Sequence, residues 1–238
     1  MIVDAHVHLS GKVHPGDASA GTADLLAAMD GAGVGAALVM SLSPDDNSMV
    51  LAAGREHPDR LHCFLVLEMD SQNQRQMDQV VAAERVSGLG EIYPNCGPAQ
   101  LPERYMAPTL AMAREHGLPV LLHTGEFSYT APIIMEGMIA RNPEIVFILG
   151  HLGSLAFVSD AIALSCRYRN VYLETSGMPC SGMLRRAVAE CGPDRLLFGS
   201  DYPYWDPEVE RARIEMAGLG NRATRLILGE NAERLFDL

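Results

Sequence analysis

Eight times along the chain a short apolar run of strand type gives way to a stretch with helical spacing. That alternation constrains the fold more than any other feature. The strand-like runs are Met1 to His8, Ala36 to Ser41, Leu61 to Leu67, Gly88 to Tyr93, Pro119 to His123, Ile145 to His151, Val171 to Thr175 and Arg195 to Ser200. Between them, Thr22 is placed to cap a helix over Ala23 to Met29, ended by Gly31 and Gly33. Ser43-Pro44-Asp45-Asp46 opens the next, which runs towards His57-Pro58. Further helices are expected over Ser71 to Val86, Arg104 to His116, Ile133 to Arg141, Leu155 to Tyr168 and Met183 to Glu190, and from Pro207 onward. Asn221 to Leu238 reads as two helices separated by Gly229.

Strands rich in Val, Ile and Leu that alternate with helices imply a parallel sheet covered on both faces. Eight such units in 238 residues, with no compositional break, match a closed (β/α)₈ barrel, a TIM barrel, better than an open doubly wound sheet. The expectation is therefore α/β, one domain over residues 1–238. No GxGxxG follows the first strand, which argues against a dinucleotide site.

In such a barrel, chemistry sits at the carboxyl ends of the strands. His6 and His8 end the first run at i, i+2, a spacing that places both imidazoles on one face of a strand. Two imidazoles begin a zinc-like site but do not complete it, since a metal needs at least one more His or carboxylate. His123 ends the fifth run, His151 the sixth and Asp201 the eighth, while Glu91 follows Gly88-Leu89-Gly90 in the fourth. A lone His on an apolar strand is usually a packed core residue. Five strands ending in metal-binding side chains are hard to assign to packing.

Composition narrows the partners. Eighteen basic against thirty acidic residues leave a net charge of −12, which disfavours nucleic acid and anionic membranes. A small-molecule substrate is the expected partner, and a homo-oligomer is compatible with the sequence. With 48% hydrophobic residues the chain can bury a large core without staples. Five cysteines, none spaced CxxC, fit a reducing compartment, the cytoplasm by default. They read as small buried hydrophobes, with Cys180 a candidate for a pocket wall.

The ordered set of HxH at His6 and His8, His123, Gly150-His151-Leu152-Gly153 and Phe198-Gly199-Ser200-Asp201-Tyr202-Pro203 resembles the amidohydrolase superfamily, and within it the amidohydrolase-related (amidohydrolase 2) family. The likeness spans essentially the whole chain, including the ending Gly229-Glu230-Asn231-Ala232-Glu233-Arg234-Leu235. The resemblance implies a barrel holding one or two divalent metals, commonly zinc, that activate water. It makes His6 and His8 the paired first-strand ligands, His123 the fifth-strand ligand, and His151 a sixth-strand ligand or water-positioning histidine. Asp201 becomes the carboxylate that binds metal and takes a proton from the attacking water. Glu91 departs from many family members, which have no acid there. In other branches a fourth-strand carboxylate bridges two metals, and Gly90-Glu91-Ile92 also resembles TatD-type nucleases.

The expected activity is metal-dependent hydrolysis of an amide, ester or lactone bond. Decarboxylation on the same ligand set is the alternative, then a TatD-like phosphodiesterase, then a non-enzymatic binding protein. His14 sits in the first loop and reads as a surface residue. His57, His62 and His116 fall at the opposite barrel end and are discounted. Glu68, Tyr93, Thr124, Ser176, Tyr202 and Trp205 are weaker candidates for substrate contact, and Asp4 reads as structural.

Overall fold

The structure is a computed structural model that describes residues 1–10, 21–67, 71–93, 102–178 and 180–238. His14, Glu68, Cys96 and the loop of Pro94, Gly97 and Pro98 lie outside the described residues. In chain order the elements are β1 (Val3–Leu9), α1 (Thr22–Ala32), β2 (Ala36–Ser41), α2 (Asn47–Glu56), β3 (Leu61–Leu65), α3 (Ser71–Ala83), β4 (Val86–Ile92), α4 (Pro102–His116) and β5 (Val120–Leu122). They continue with α5 (Glu136–Arg141), β6 (Phe147–Leu149), α6 (Ser154–Arg167), β7 (Val171–Glu174), α7 (Ser181–Cys191), β8 (Leu196–Leu197), α8 (Pro207–Met216), α9 (Asn221–Arg225) and α10 (Asn231–Phe236).

The eight strands pair in parallel in the order β1 to β8. The seam back to β1 is made just past β8: Ala5 N–H donates to Phe198 O at 2.8 Å, Asp201 N–H to His6 O at 2.7 Å, and His8 N–H to Tyr202 O at 2.7 Å. Asp4 clasps the same seam. Its buried Oδ1 accepts from Ser200 N at 2.9 Å and His6 N at 3.1 Å, and burial pushes its pKa up to about 7. The eightfold alternation thus becomes a (β/α)₈ barrel.

Strand periodicity divides the core in two. Leu38, Met40, Leu121, Ile148 and Leu197 meet on the barrel axis, where α10 closes one end by setting Phe236 edge-on to Phe64 at 5.8 Å. Their neighbours Val39, Val120, Leu122, Phe147, Leu149 and Leu173 point outward to the helices. Among the described residues three register shifts break this rhythm, between Asp4 and Val7, between Cys63 and Phe64, and between Leu89 and Ile92. Val3 and Ala5 face the axis before the first shift, and Val7 and Leu9 face outward after it. The slip turns His6 and His8 towards the axis, the re-aiming that bulges characteristically produce. In β4 the irregularity uses Gly90, at φ 139°, where an added Cβ would lie 2.6 Å from the Leu121 carbonyl oxygen.

Several boundaries differ from the sequence reading. Thr22 is the first helical residue rather than the cap, which falls on Gly21. Val86 belongs to β4 rather than to the helix before it, and β3, β5, β6 and β8 are shorter than their apolar runs. Gly229 does not separate two helices, because the backbone runs from α9 through a widened turn at Leu226–Glu230 into α10. A side chain at Gly229 would collide with the Met1 carbonyl, so glycine serves close approach there rather than termination. At α8 the signals act as read, with Pro207 in the first turn and Asp206 accepting from Glu208 N at 2.8 Å.

Candidate metal centre

All six residues singled out from strand ends converge at one end of the barrel, five of them lining a single pocket and His6 buried just beneath it. His6 Nε2 and His8 Nε2 stand 3.1 Å apart. Asp201 Oδ1 lies 3.1 Å from His8 Nε2 and 3.6 Å from His6 Nε2. Glu91 Oε2 lies 3.5 and 3.6 Å from the same two nitrogens. The other oxygen of Glu91 faces a second group: Oε1 is 2.9 Å from His123 Nδ1 and 3.1 Å from His151 Nε2, and those nitrogens are 3.1 Å apart. One carboxylate therefore stands between two sets of imidazoles.

Glu174, at the end of β7, is a site residue that the sequence reading missed. It is fully buried, and its Oε2 faces His6 Nδ1 at 2.9 Å and accepts from Ser176 Oγ at 2.8 Å and His151 N at 3.2 Å. Its Oε1 accepts from Ser176 N. A carboxylate only accepts, so it selects the Nδ1–H form of His6 and leaves the Nε2 lone pair for the pocket. Because the Ser176 hydroxyl gives its proton to Glu174, its oxygen accepts from His151 Nδ1, 2.9 Å away. That turns His151 Nε2 to Glu91, to which its N–H donates until a cation displaces the proton. A single buried acid fixes the outlook of two imidazoles. The signal for it was present, since Glu174 ends its strand as Glu91 and Asp201 end theirs.

The loops are shaped to hold these groups. His151 and Leu152 adopt left-handed backbone, φ 60° and 52°, between Gly150 and Gly153, and Asp201 has φ 61°. Such conformations cost of order 1 kcal/mol or more in non-glycine residues and concentrate at functional sites. Thr124 accepts from Gly153 N at 3.1 Å and donates to Gly150 O, tying the ends of β5 and β6 together. A side chain at Gly199 would press on the Glu174 carboxylate and lie 2.9 Å from His6 Cβ.

The charges are strongly coupled. Burial alone would raise the pKa of Glu91, but His6 and the hydrogen-bonding His123 and His151 hold it well below the usual carboxylate range. Burial would raise Glu174 too, and His6 again brings it below its ordinary value. Burial depresses His6, yet Glu91, Glu174 and Asp201 hold it well above the ordinary imidazole value. So much negative charge around buried nitrogens is what a divalent cation neutralises, displacing protons as it binds.

The donor set fits such a cation. Tetrahedral zinc with bonds near 2.0–2.1 Å places its ligand atoms about 3.3 Å apart. The separations among His6, His8, Asp201 and Glu91 bracket that value, and those of the second group, 2.9–3.1 Å, fall a little short of it. Three clusters at this end of the barrel bring ligand atoms close together: His6, His8 and Asp201; Glu91, His123 and His151; and His6, His151 and Glu174. The last is accounted for by hydrogen bonding.

A pocket of about 520 Å³ opens over the site, with His8, Glu91, His123, His151 and Asp201 at its floor and Tyr93, Glu126, Tyr204 and Trp205 around its mouth. Of the weaker candidates, Tyr93 and Trp205 line this pocket, whereas Thr124 and Ser176 are buried and bonded to the loops. Cys180 is not among the lining residues and precedes α7, packed against the outer core. His62 lines a separate, smaller pocket with Leu61 and Arg85, at the strand-start end.

The amidohydrolase family model (Amidohydro_2) matches residues 3–238. The chain belongs to the amidohydrolase family. It is an enzyme of that family. Solved structures share the fold at low identity. An amidohydrolase from Burkholderia multivorans superposes with a TM-score of 0.82 at 15% identity, covering 100% of this chain and 99% of its own. A putative 2-pyrone-4,6-dicarboxylic acid hydrolase from Pseudomonas putida gives 0.79 at 18% identity, covering 99% and 97%. A dihydroxybenzoic acid decarboxylase from Polaromonas sp. JS666, with bound manganese and the inhibitor 2-nitroresorcinol, gives 0.76 at 15%, covering 100% and 97%. Both hydrolases and decarboxylases thus stand on this architecture. Among the described residues, no helix is long and apolar enough to cross a membrane.

Proposed function

We propose that this amidohydrolase is a metal-dependent hydrolase that cleaves an amide, ester or lactone bond of a small molecule, with zinc as its metal. His6, His8 and Asp201 would hold one cation, His123 and His151 a second, and Glu91 would bridge them. The observation that carries the reading is the two-sided placement of Glu91, with one oxygen towards each imidazole group. Paired cations sharing ligands are a recurrent arrangement in hydrolytic enzymes. A cation held there supplies Lewis acidity, making water a nucleophile near neutral pH and polarising a carbonyl oxygen.

The remaining work falls to the chain's own groups. Asp201, held at the end of the seam beside β1, is an acceptor-only carboxylate 3.1 Å from His8 Nε2. It takes the proton of the attacking water and returns it to the leaving group. His151, fixed through Ser176, keeps its Nε2 towards the reacting centre. Decarboxylation is the second reading, favoured by the manganese-bound decarboxylase that shares the fold. A phosphodiesterase is less favoured, because among the described residues lining the pocket there is no Lys or Arg to meet a phosphate.

Asp201→Asn keeps the shape and removes the base, so turnover should fall by roughly 10²–10⁴-fold. Metal content is measured alongside, and products are analysed for water incorporation against carbon dioxide release. Carbon dioxide as a stoichiometric product would replace hydrolysis with decarboxylation. A fully metallated Asp201→Asn variant with near-normal turnover would remove Asp201 from its role.

A further inference from the structure

Four aromatic side chains are exposed among the described residues, Tyr93, Phe127, Tyr204 and Trp205. All four follow strand carboxyl ends, in the loops after β4, β5 and β8. Tyr93, Tyr204 and Trp205 line the pocket. Phe127 joins them through Tyr129, on which it stacks at 5.2 Å and which meets Tyr93 edge-on at 6.3 Å. Rings left in water forgo the gain of burial, and their collection at one rim marks a surface that a flat ligand covers.

Charge refines that description. Glu126 stands at the same rim with its side chain 57% exposed, 3.6 Å from His123 Nε2. It accepts from the Tyr93 hydroxyl at 3.5 Å. That His123 nitrogen is buried and makes no hydrogen bond among the described residues. Arg213 lies over the Trp205 ring at 5.6 Å, but its guanidinium is committed to the buried Glu210 at 2.9 Å. Cations at the pocket floor would offset Glu91 and Asp201. Glu126, further out, keeps its negative charge facing the entrance.

We propose that the pocket takes a ring-bearing, planar substrate whose outward end is uncharged or cationic, and that Glu126 selects against an anionic outward end. The aromatic faces at the rim suit a flat ring, and they also suit a cation next to it. The inference rests on the metal-site reading above for the inward end of the substrate. It separates this pocket from one built for a substrate with carboxylates at both ends.

Three para-substituted benzoates test it. Terephthalate, 4-carbamoylbenzoate and 4-(aminomethyl)benzoate share a ring and an inward carboxylate, and differ only in an anionic, neutral or cationic outward end. Trp205 is the sole tryptophan of the chain, so its fluorescence reports binding at the mouth. In the metal-loaded protein, 4-(aminomethyl)benzoate should bind about tenfold tighter than terephthalate, with the amide between them. E126Q should bring the three to within about threefold, and E126K should reverse their order. Equal or tighter binding of terephthalate by the wild type would overturn the proposal. So would an unchanged ratio in E126Q, or no binding of any probe at millimolar concentration. Repeating the titration after chelation separates the two readings: affinities indifferent to metal removal would count against the metal site, while the ratio among probes still judges Glu126.

Discussion

Replacing Glu174 with glutamine keeps the shape of the side chain while removing one of its two accepting faces. In the native site Oε2 serves His6 Nδ1, Ser176 Oγ and His151 N, and Oε1 serves Ser176 N. A glutamine offers one carbonyl oxygen, which satisfies the most donors by taking the Oε2 position. Its amide nitrogen then meets the Ser176 N–H, donor against donor, in a fully buried place. One orphaned pair of this kind costs about 1–3 kcal/mol. In a domain of this size that lowers Tm by on the order of 2–12 °C. His6 meanwhile donates to a neutral oxygen rather than a carboxylate, so Nε2 becomes a poorer ligand. Substitutions of this outer kind typically weaken metal binding about 10–100-fold, or about 1.4–2.7 kcal/mol. Competition against a chromophoric chelator gives the metal affinity, and thermal unfolding with and without metal gives the stability. A Glu174→Gln protein that loses stability but binds metal within threefold of the wild type would refute the orienting role, leaving Glu174 a structural tie.

Three other outcomes are expected. Replacing His6 and His8 together with alanine should strip the metal while circular dichroism still reports a folded barrel; full occupancy in that variant would exclude both as ligands. Glu91→Gln should lower the bound metal from two towards one per chain, and a wild type that never exceeds one at saturation would rule out bridging. Burial pushes the Glu210 pKa from 4.5 up to about 7, against the opposing pull of Arg213. The folded protein then holds more protons than the unfolded chain between those values, so this group's contribution to stability falls as pH rises across that window. Glu210→Gln should flatten the decline by about 1–3 kcal/mol, leaving the part due to Asp4, which is raised in the same sense. Superimposable stability curves for variant and wild type between pH 4.5 and 7 would contradict it.

The barrel was legible because its signal is redundant. Eight apolar runs, each followed by helical spacing, leave few alternatives, and the candidate ligands stand where such a fold carries its chemistry. His6 and His8 were legible through spacing, although what turns them to the axis is a register shift that no spacing rule contains. Glu91 depended on Gly90, whose unusual backbone follows from the nearness of Leu121 and is invisible in one dimension. Glu174 escaped notice because its strand was read for apolar pattern and its terminal acid passed over. Glu126 escaped because only strand ends were read for acids, and it lies in the loop four residues past β5, three residues along the chain from His123. Strand ends at β5, β6 and β8 were overestimated for a related reason: the apolar runs continue into loops buried by the site itself.

The seam that closes the barrel also orders events in time. His6 and His8 leave the ribosome long before Asp201, and the Asp4–Ser200 clasp joins positions 196 residues apart. At synthesis rates of about 5–20 residues per second, that separation is roughly 10–40 s during which the first strand has no eighth strand to lie against. Its paired imidazoles spend that interval without the carboxylates that complete their cage. A metal captured early would be held by a partial set and exchange readily, whereas one arriving after the seam has formed meets every ligand at once. Under the proposed ligand set, the complete cage exists only once the final repeat has been made.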